Sequence, residues 1–465
     1  MRRVLLINLL LAGCAAGPDY ERPAAPASPA FREVPAGWKE AEPRDEILRG
    51  NWWEIFGDPE LNALAEKVQG GNFTLAAAAA RQRAALAAVA ISRSGLFPGV
   101  DADLSVTRSR SPTGAIGGTT AGRVLTNRSA GLSASWEIDL WGRVRREVEA
   151  AGAEAEASAG EVASARLSLQ AELATSYFQL RLLDVQKQLL EDTVAAFRRS
   201  LELTQNRYRA GVSARADVVA ADAQVKSAAA QALDLGVQRA QLEHAIAILT
   251  GVPPSELAIA PRPTYSAALP AIPPGLPAEL LERRPDVAAA ERRVAAANAR
   301  IGVAKSAYFP QLFLSATFGY RSADASTWLS APSRFWSLGP SLAQSIFDAG
   351  LRRAQSEQAI ADYDATVADY RQTALGAIAE VEDNLAALHI LGEGAALQDE
   401  AVRAAQETLD LTLNRYKAGT VSFLDVVQVQ TALLNEQRAA VDILNRRLAA
   451  TVALVRALGG GWQGL

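Results

Sequence analysis

The 465-residue sequence holds one cysteine, one methionine and two histidines. A single thiol, Cys14, excludes an intramolecular disulfide and any metal site built from cysteines. Met1 is the only methionine, and His244 and His389 fall on separate predicted helices, so no metal-ligand spacing arises. His389, between Leu388 and Ile390, reads as a packed or interface residue. No nucleophile stands with a base, so neither an enzyme nor a cofactor is expected. Charge of one sign is also missing. The net charge is −4 and the pI about 5.6, with basic residues scattered among acids, which argues against nucleic acid as a partner. Nor is there a long apolar run past the N-terminus. The stretch from Leu75 to Ala90 is broken by Arg81 and Arg83, short of the roughly 18 residues a membrane helix needs. Any crossing of a membrane by the chain itself must therefore be made of β-structure.

The one cysteine has a sharp setting. Arg2 and Arg3 precede a largely apolar run from Val4 to Leu11, followed by Leu11-Ala12-Gly13-Cys14. A basic start, an apolar stretch and small residues at a processing point spell an export signal over 1–13. Leu-Ala-Gly-Cys resembles the bacterial lipobox, which implies lipidation of Cys14 and, with Ala15 following, sorting to the outer membrane. The competing reading is a buried Cys in an N-terminal helix. Residues 14–50 then form an extended acylated linker.

What the sequence has in abundance is internal repetition. Residues 201–219 read LELTQNRYRAGVSARADVV and 409–427 read LDLTLNRYKAGTVSFLDVV, eleven identities in nineteen at an offset of 208. The same offset relates Gly142 to Gly350, Arg145 to Arg353 and Glu172 to Glu380. An offset of 212 relates Arg81, Ser94, Phe97 and Pro98 to Arg293, Ser306, Phe309 and Pro310. The chain is two copies of one unit, 51–250 and 285–458, joined by a Pro-rich bridge at 251–284 and ending in a tail at 459–465.

Each copy predicts the same elements. Helices over about 58–70 and 73–96 end at Phe97-Pro98-Gly99, where proline removes a donor and glycine permits a turn. Period-two alternation predicts strands at 100–108 and 129–139, and again at 311–321 and 334–347. Gly/Ser/Thr-rich loops at 109–128 and 321–334 join each pair into a hairpin. Very long helices follow at about 143–210 and 350–418, on the order of 100 Å each, with returning helices at 214–250 and 422–458. Leu169, Leu173, Leu180, Leu183, Leu190, Val194, Phe197, Leu201 and Tyr208 keep a heptad seam, which predicts shallow coiled-coil packing. Gly211 and Gly419 supply left-handed helix ends.

Four strands are too few to close a barrel, and isolated hairpins are marginal in water. In a bilayer every strand edge must be paired, so such a chain has to oligomerise, and three copies give an even-numbered barrel. Trp136, Trp141, Tyr308, Phe309, Tyr320, Phe335 and Trp336 suit interfacial girdles. A soluble β-sandwich cap on a coiled-coil stalk is the competing reading.

The whole chain resembles an outer-membrane factor of the OprM/NodT family, relatives of the TolC channel tunnel. The resemblance rests on the lipobox, on Trp52-Trp53-Glu54-Ile55-Phe56-Gly57-Asp58-Pro59, and on Arg-Tyr-x-Ala-Gly in each half. Leu276-Pro277-Ala278-Glu279-Leu280-Leu281-Glu282-Arg283-Arg284-Pro285-Asp286-Val287, closing the bridge, and the two-copy arrangement add to it. It implies a mainly α fold of duplicated long helices with a small membrane β part, forming as a homotrimer a twelve-stranded outer-membrane barrel continuous with a periplasmic α-barrel. It also implies a periplasmic adaptor (membrane fusion) protein and an inner-membrane pump, often of the resistance-nodulation-division type, as partners. The implied role is a passive exit duct for small molecules, drugs and toxic compounds among them. Protein, peptide or metal-ion export, or a non-conducting periplasmic coiled-coil lipoprotein, are the alternatives.

By the same resemblance, the closed periplasmic entrance falls on Arg207, Tyr208, Asp217, Arg415, Tyr416 and Asp425, whose types suit charge-assisted hydrogen bonds. Adaptor docking falls on the turns at Gly211 and Val212 and at Gly419 and Thr420. The alternative is that Arg-Tyr and Asp only cap those turns. Gln428 stands where a family entrance can carry a second acid, so strong cation selection is not implied.

Overall fold

A computed structural model describes residues 15–26, 31–32, 50–110, 124–267, 269–270, 272 and 283–460. Cys14, the signal over 1–13, most of the 14–50 linker and much of the 251–284 bridge lie outside them. In chain order the helices and strands are α1 (Pro59–Gly71), α2 (Phe73–Ser94), β1 (Gly99–Arg110), β2 (Val124–Ile138), α3 (Arg143–Arg209) and α4 (Arg215–Thr250). The second half supplies α5 (Pro285–Ser306), β3 (Gln311–Ser322), β4 (Arg334–Ala343), α6 (Leu351–Lys417) and α7 (Phe423–Ala457). The fold is mostly helical with a few strands, the long-helix class that the repeat implied.

Two compact units divide the chain. One comprises 1–24, 81–159 and 289–370; the other comprises 25–80, 160–288 and 371–465.

The first unit holds an antiparallel sheet in the order β1-β2-β3-β4. Val100, Leu104, Leu132, Phe318, Trp336, Leu338 and Leu342 share one face through the register Ala102↔Leu132, Leu132↔Phe318, Phe318↔Trp336 and Ala316↔Leu338. All of these are exposed. Asp101, Asp103, Ser133, Ser135, Thr317 and Ser337 share the other face, where the Thr317 and Ser337 hydroxyls bond at 2.6 Å.

β4 stops at Ala343 rather than at 347, because its last partner is Gln311 and Pro310, just before, has no N–H for a further rung. β2 begins at Val124 rather than near 129, because its ladder with β1 continues out to Arg110↔Val124. Phe335 is a further correction. It pairs with Gly319 on the polar face and covers Gly131 and Gly319 instead of joining an outer aromatic girdle. Trp136 and Trp141 anchor the near end of the sheet by donating to the carbonyls of Leu96 (3.1 Å) and Pro310 (2.8 Å).

The second unit buries Trp52, Trp53 and Phe56 against Leu61, Leu64 and Val68 of α1 and Leu173, Tyr177, Phe178 and Leu180 of α3. Asp58 caps α1 by accepting from the Glu60 and Leu61 amides, with Pro59 at the first helical position. Further along α3, Leu183 and Leu190 pack on Ala232 and Leu235, and Val194 and Phe197 on Val225 and Ala228. Leu169 and Leu201 are only partly buried. Both still pack on these clusters, so the seam holds to Leu201, and Tyr208, its last expected position, is exposed.

Candidate functional site

The predicted gate and docking residues gather at the two helix turns of the second unit. Each long helix ends in the same way. Gly211 and Gly419 take φ of +74° and +77°, and the Val212 and Thr420 amides reach back to the Arg207 and Arg415 carbonyls at 2.9 and 3.0 Å. This is the six-residue closure of a Schellman end, and a side chain at either glycine would be strained. Val212 stands 65% exposed, and Gly211, Gly419 and Thr420 are exposed beside it.

The acids begin the returning helices. Asp425 accepts from the Ser422 amide (2.8 Å) and hydroxyl (2.7 Å), while Ser422 Oγ accepts from the Asp425 amide (3.3 Å). That is a full capping box. Ser422 and then Arg415 hold the Asp425 carboxyl below the usual aspartate range. In the first copy Asp217 accepts from the Ala214 amide at 3.1 Å, and Ala214 has no hydroxyl to return the bond. Both acids thus cap their own helices.

The Arg-Tyr pairs behave differently from one another. Arg207 donates to the Tyr416 carbonyl at 2.8 Å, and its guanidinium carbon lies 4.6 Å from the Tyr416 ring centre. Tyr416 is only 2% exposed; its hydroxyl meets Thr204 Oγ1 at 3.2 Å and its ring packs on Phe423. Tyr208 is 45% exposed, and Arg415 is exposed. Sequence reasoning missed Thr204, Phe423 and the Gln430–Ser200 bond at 3.1 Å. Thr204 was recoverable, since Thr412 repeats it at the 208 offset.

The N-terminal segment is a second site that the sequence did not flag. In the first unit the Ala16 amide donates to the Trp141 carbonyl (2.9 Å), Asp19 pairs with Arg146 (2.9 Å), and Tyr20 donates to Glu291. Gly17, at φ +97°, is pressed against Gly302, where an added Cβ would come 2.4 Å from the Cα. The Gly17-Pro18 pair was the available signal. His389 is half-exposed beside Glu393, and no metal-holding cluster occurs among the described residues. No described helix is long and apolar enough to cross a membrane.

The sequence matches the family described as outer membrane efflux protein over residues 64–252 and 276–460. The pyoverdine export outer membrane protein OpmQ of Pseudomonas aeruginosa is 33% identical over 100% of this chain and 98% of its own. The toluene efflux pump outer membrane protein TtgF of Pseudomonas putida is 32% identical over 99% and 97%. Among solved structures, the outer-membrane channel OprN superposes with a TM-score of 0.89 at 33% identity, covering 97% of this chain and 100% of that one.

Proposed function

The chain belongs to the outer membrane efflux protein family, and on that premise we propose that three copies close one barrel and form a passive exit duct for small organic molecules. As in its family, it is an outer-membrane channel component of an efflux system. The single observation that carries the assembly is the four-stranded sheet with an exposed apolar face, a polar face and two outer edges. Its strands of 12, 15, 12 and 10 residues are long enough to span a bilayer when tilted. Hydrocarbon solvates the apolar face but cannot satisfy the open edges of β1 and β4, so those edges must pair with other copies. The polar face then lines water.

Transport through such a duct needs no catalytic group, because the cargo moves down the path that a pump and an adaptor supply. The relatives' named cargoes, pyoverdine and toluene, support small organic molecules as the class. Lipid on Cys14 supplies the anchor, a reading supported by the Ala16–Trp141 bond, which holds the next residues beside the base of β2. The turns at Gly211 and Val212 and at Gly419 and Thr420 are the adaptor contact. Arg207, Tyr208, Asp217, Arg415, Tyr416 and Asp425 form the entrance; the cap bonds fix the two carboxylates where the helices turn. The mass of the purified full chain in mild detergent tests the assembly. Three copies are expected, and a single copy would leave the sheet edges open and end the proposal.

A further inference from the structure

One of the contacts between the two repeats has a mirror that is left unused in the lone chain. At that contact the first repeat supplies Arg207 and Thr204, and the second supplies Tyr416. The guanidinium lies over the ring, the carbonyl accepts from the same arginine, and the two hydroxyls meet. Shifting every partner by the 208-residue offset gives Arg415 and Thr412 on the second repeat and Tyr208 on the first. All three residue types are kept. These three do not meet inside one chain, where Tyr208 and Arg415 are both exposed.

Exposure follows the same asymmetry. Tyr416 is 2% exposed and Tyr208 is 45% exposed. Leu203 and Val427 are partly buried in the cluster around Tyr416, whereas their counterparts Leu411 and Val219 are 59% and 60% exposed. Arg415 and Leu411 thus stand open on the second repeat, with Thr412 partly exposed beside them. The aromatic ring and valine that would receive them stand open on the first.

We propose that Arg415 and Thr412 of one copy seat on Tyr208 of a second copy, reproducing the Arg207–Thr204–Tyr416 contact between subunits. The proposal rests on the reading that the chain assembles with itself, and it names the residues of the seam. The seam is not an exact repeat. Phe423, which packs on Tyr416, is replaced by Arg215 at the offset, and Val421 by Ser213. The seam between copies therefore keeps the arginine-tyrosine-threonine part and loses the aromatic backing. It is the more polar of the two junctions and the one that parts first when the helix ends separate.

The experiment co-expresses two differently tagged full-length copies, one carrying Tyr208→Cys and the other Thr412→Cys, and treats the membranes with a short bismaleimide. A product bearing both tags is expected, with none from either copy alone, and adding Arg415→Ala to the second copy lowers its yield. A Thr204→Cys/Tyr416→Cys chain, which must react internally, shows that the reagent reaches this region. If that control reacts and the unaltered protein has the mass of three copies, yet no two-tag product forms, the seam is wrong. If the unaltered protein has the mass of one copy, the assembly reading fails first and the seam falls with it.

Discussion

Arg239 of α4 donates to Asp184 of α3 at 2.7 Å, joining the long helix to its returning partner through a carboxylate that is 1% exposed. Arg181, wholly buried, donates to the same carboxylate at 3.1 Å and to Glu60, while the Arg262 amide adds a bond at 3.0 Å. The Ile259 and Ala260 carbonyls accept from Arg239 and Arg181, so the network fastens the segment after α4 onto both helices. A buried pair adds little over an apolar substitute, but breaking it leaves a charge unpaired in a dry site. Asp184→Ala is expected to cost about 3–5 kcal/mol and to lower the melting temperature in detergent. Correctly folded survivors should keep normal conductance, since the network faces no opening.

Tyr416 separates packing from gating. Tyr416→Ala removes a buried ring and is expected to cost about 3–5 kcal/mol, as large aromatic truncations do. Tyr416→Phe removes only the bond to Thr204 and is expected to cost roughly 0.5–1.5 kcal/mol. The informative channel recording is therefore the Phe variant, which should conduct in slightly larger steps than the unaltered protein with its trimer mass intact.

Asp425 gives a pH signature. Its carboxyl is held below the ordinary range by Ser422, so its folded value is depressed. The stability it contributes is complete above the unfolded value of about 3.9 and is lost as pH falls through the lower folded value. Titration from neutrality to pH 5 should leave the turn unchanged; below about pH 4 the turn should loosen. Asp425→Ala should remove that acid step and raise conductance at neutral pH. An unchanged conductance would assign Asp425 to helix capping alone.

The sheet faces are expected to differ sharply in tolerance. Leu338→Arg puts a cation on the apolar face and should cost about 2–4 kcal/mol near the bilayer midplane. Ser337→Arg, one residue away on the polar face, should insert normally. Heat-modified gel mobility after refolding into vesicles reads both.

Gly17 tests the N-terminal clamp. Gly17→Ala adds a Cβ into Gly302 at a positive φ, so the segment should lift from α5. A glutamate-specific endoproteinase should then cut after the exposed Glu21 faster than in the unaltered protein. Cys14→Ser should abolish palmitate labelling without speeding that cleavage.

How much was legible beforehand follows the period of each signal. The long helices were readable to within a residue, because Gly211 and Gly419 mark ends that no other residue type makes as easily. The two faces of the sheet were readable from alternation, but the register was not. Phe335 suits a girdle only by its aromatic type; it alternates with Trp336, and pairing sets it opposite Gly319. The Arg207–Tyr416 contact lies 209 positions apart in the chain and comes from the packing of one repeat on the other, which no local spacing carries. The Asp184 network was invisible for the same reason, since Arg181 and Arg239 look like ordinary surface cations on helices. Lipidation, gate and docking roles came from resemblance rather than from residue patterns.

Single-channel recording on the purified full-length protein in a planar bilayer decides whether the assembled chain is a duct. A passive duct gives discrete, voltage-stable steps of one size, enlarged by Asp425→Ala. A protein that inserts with its strands folded, holds the mass of three copies and passes no current, even with Asp425→Ala, would contradict it.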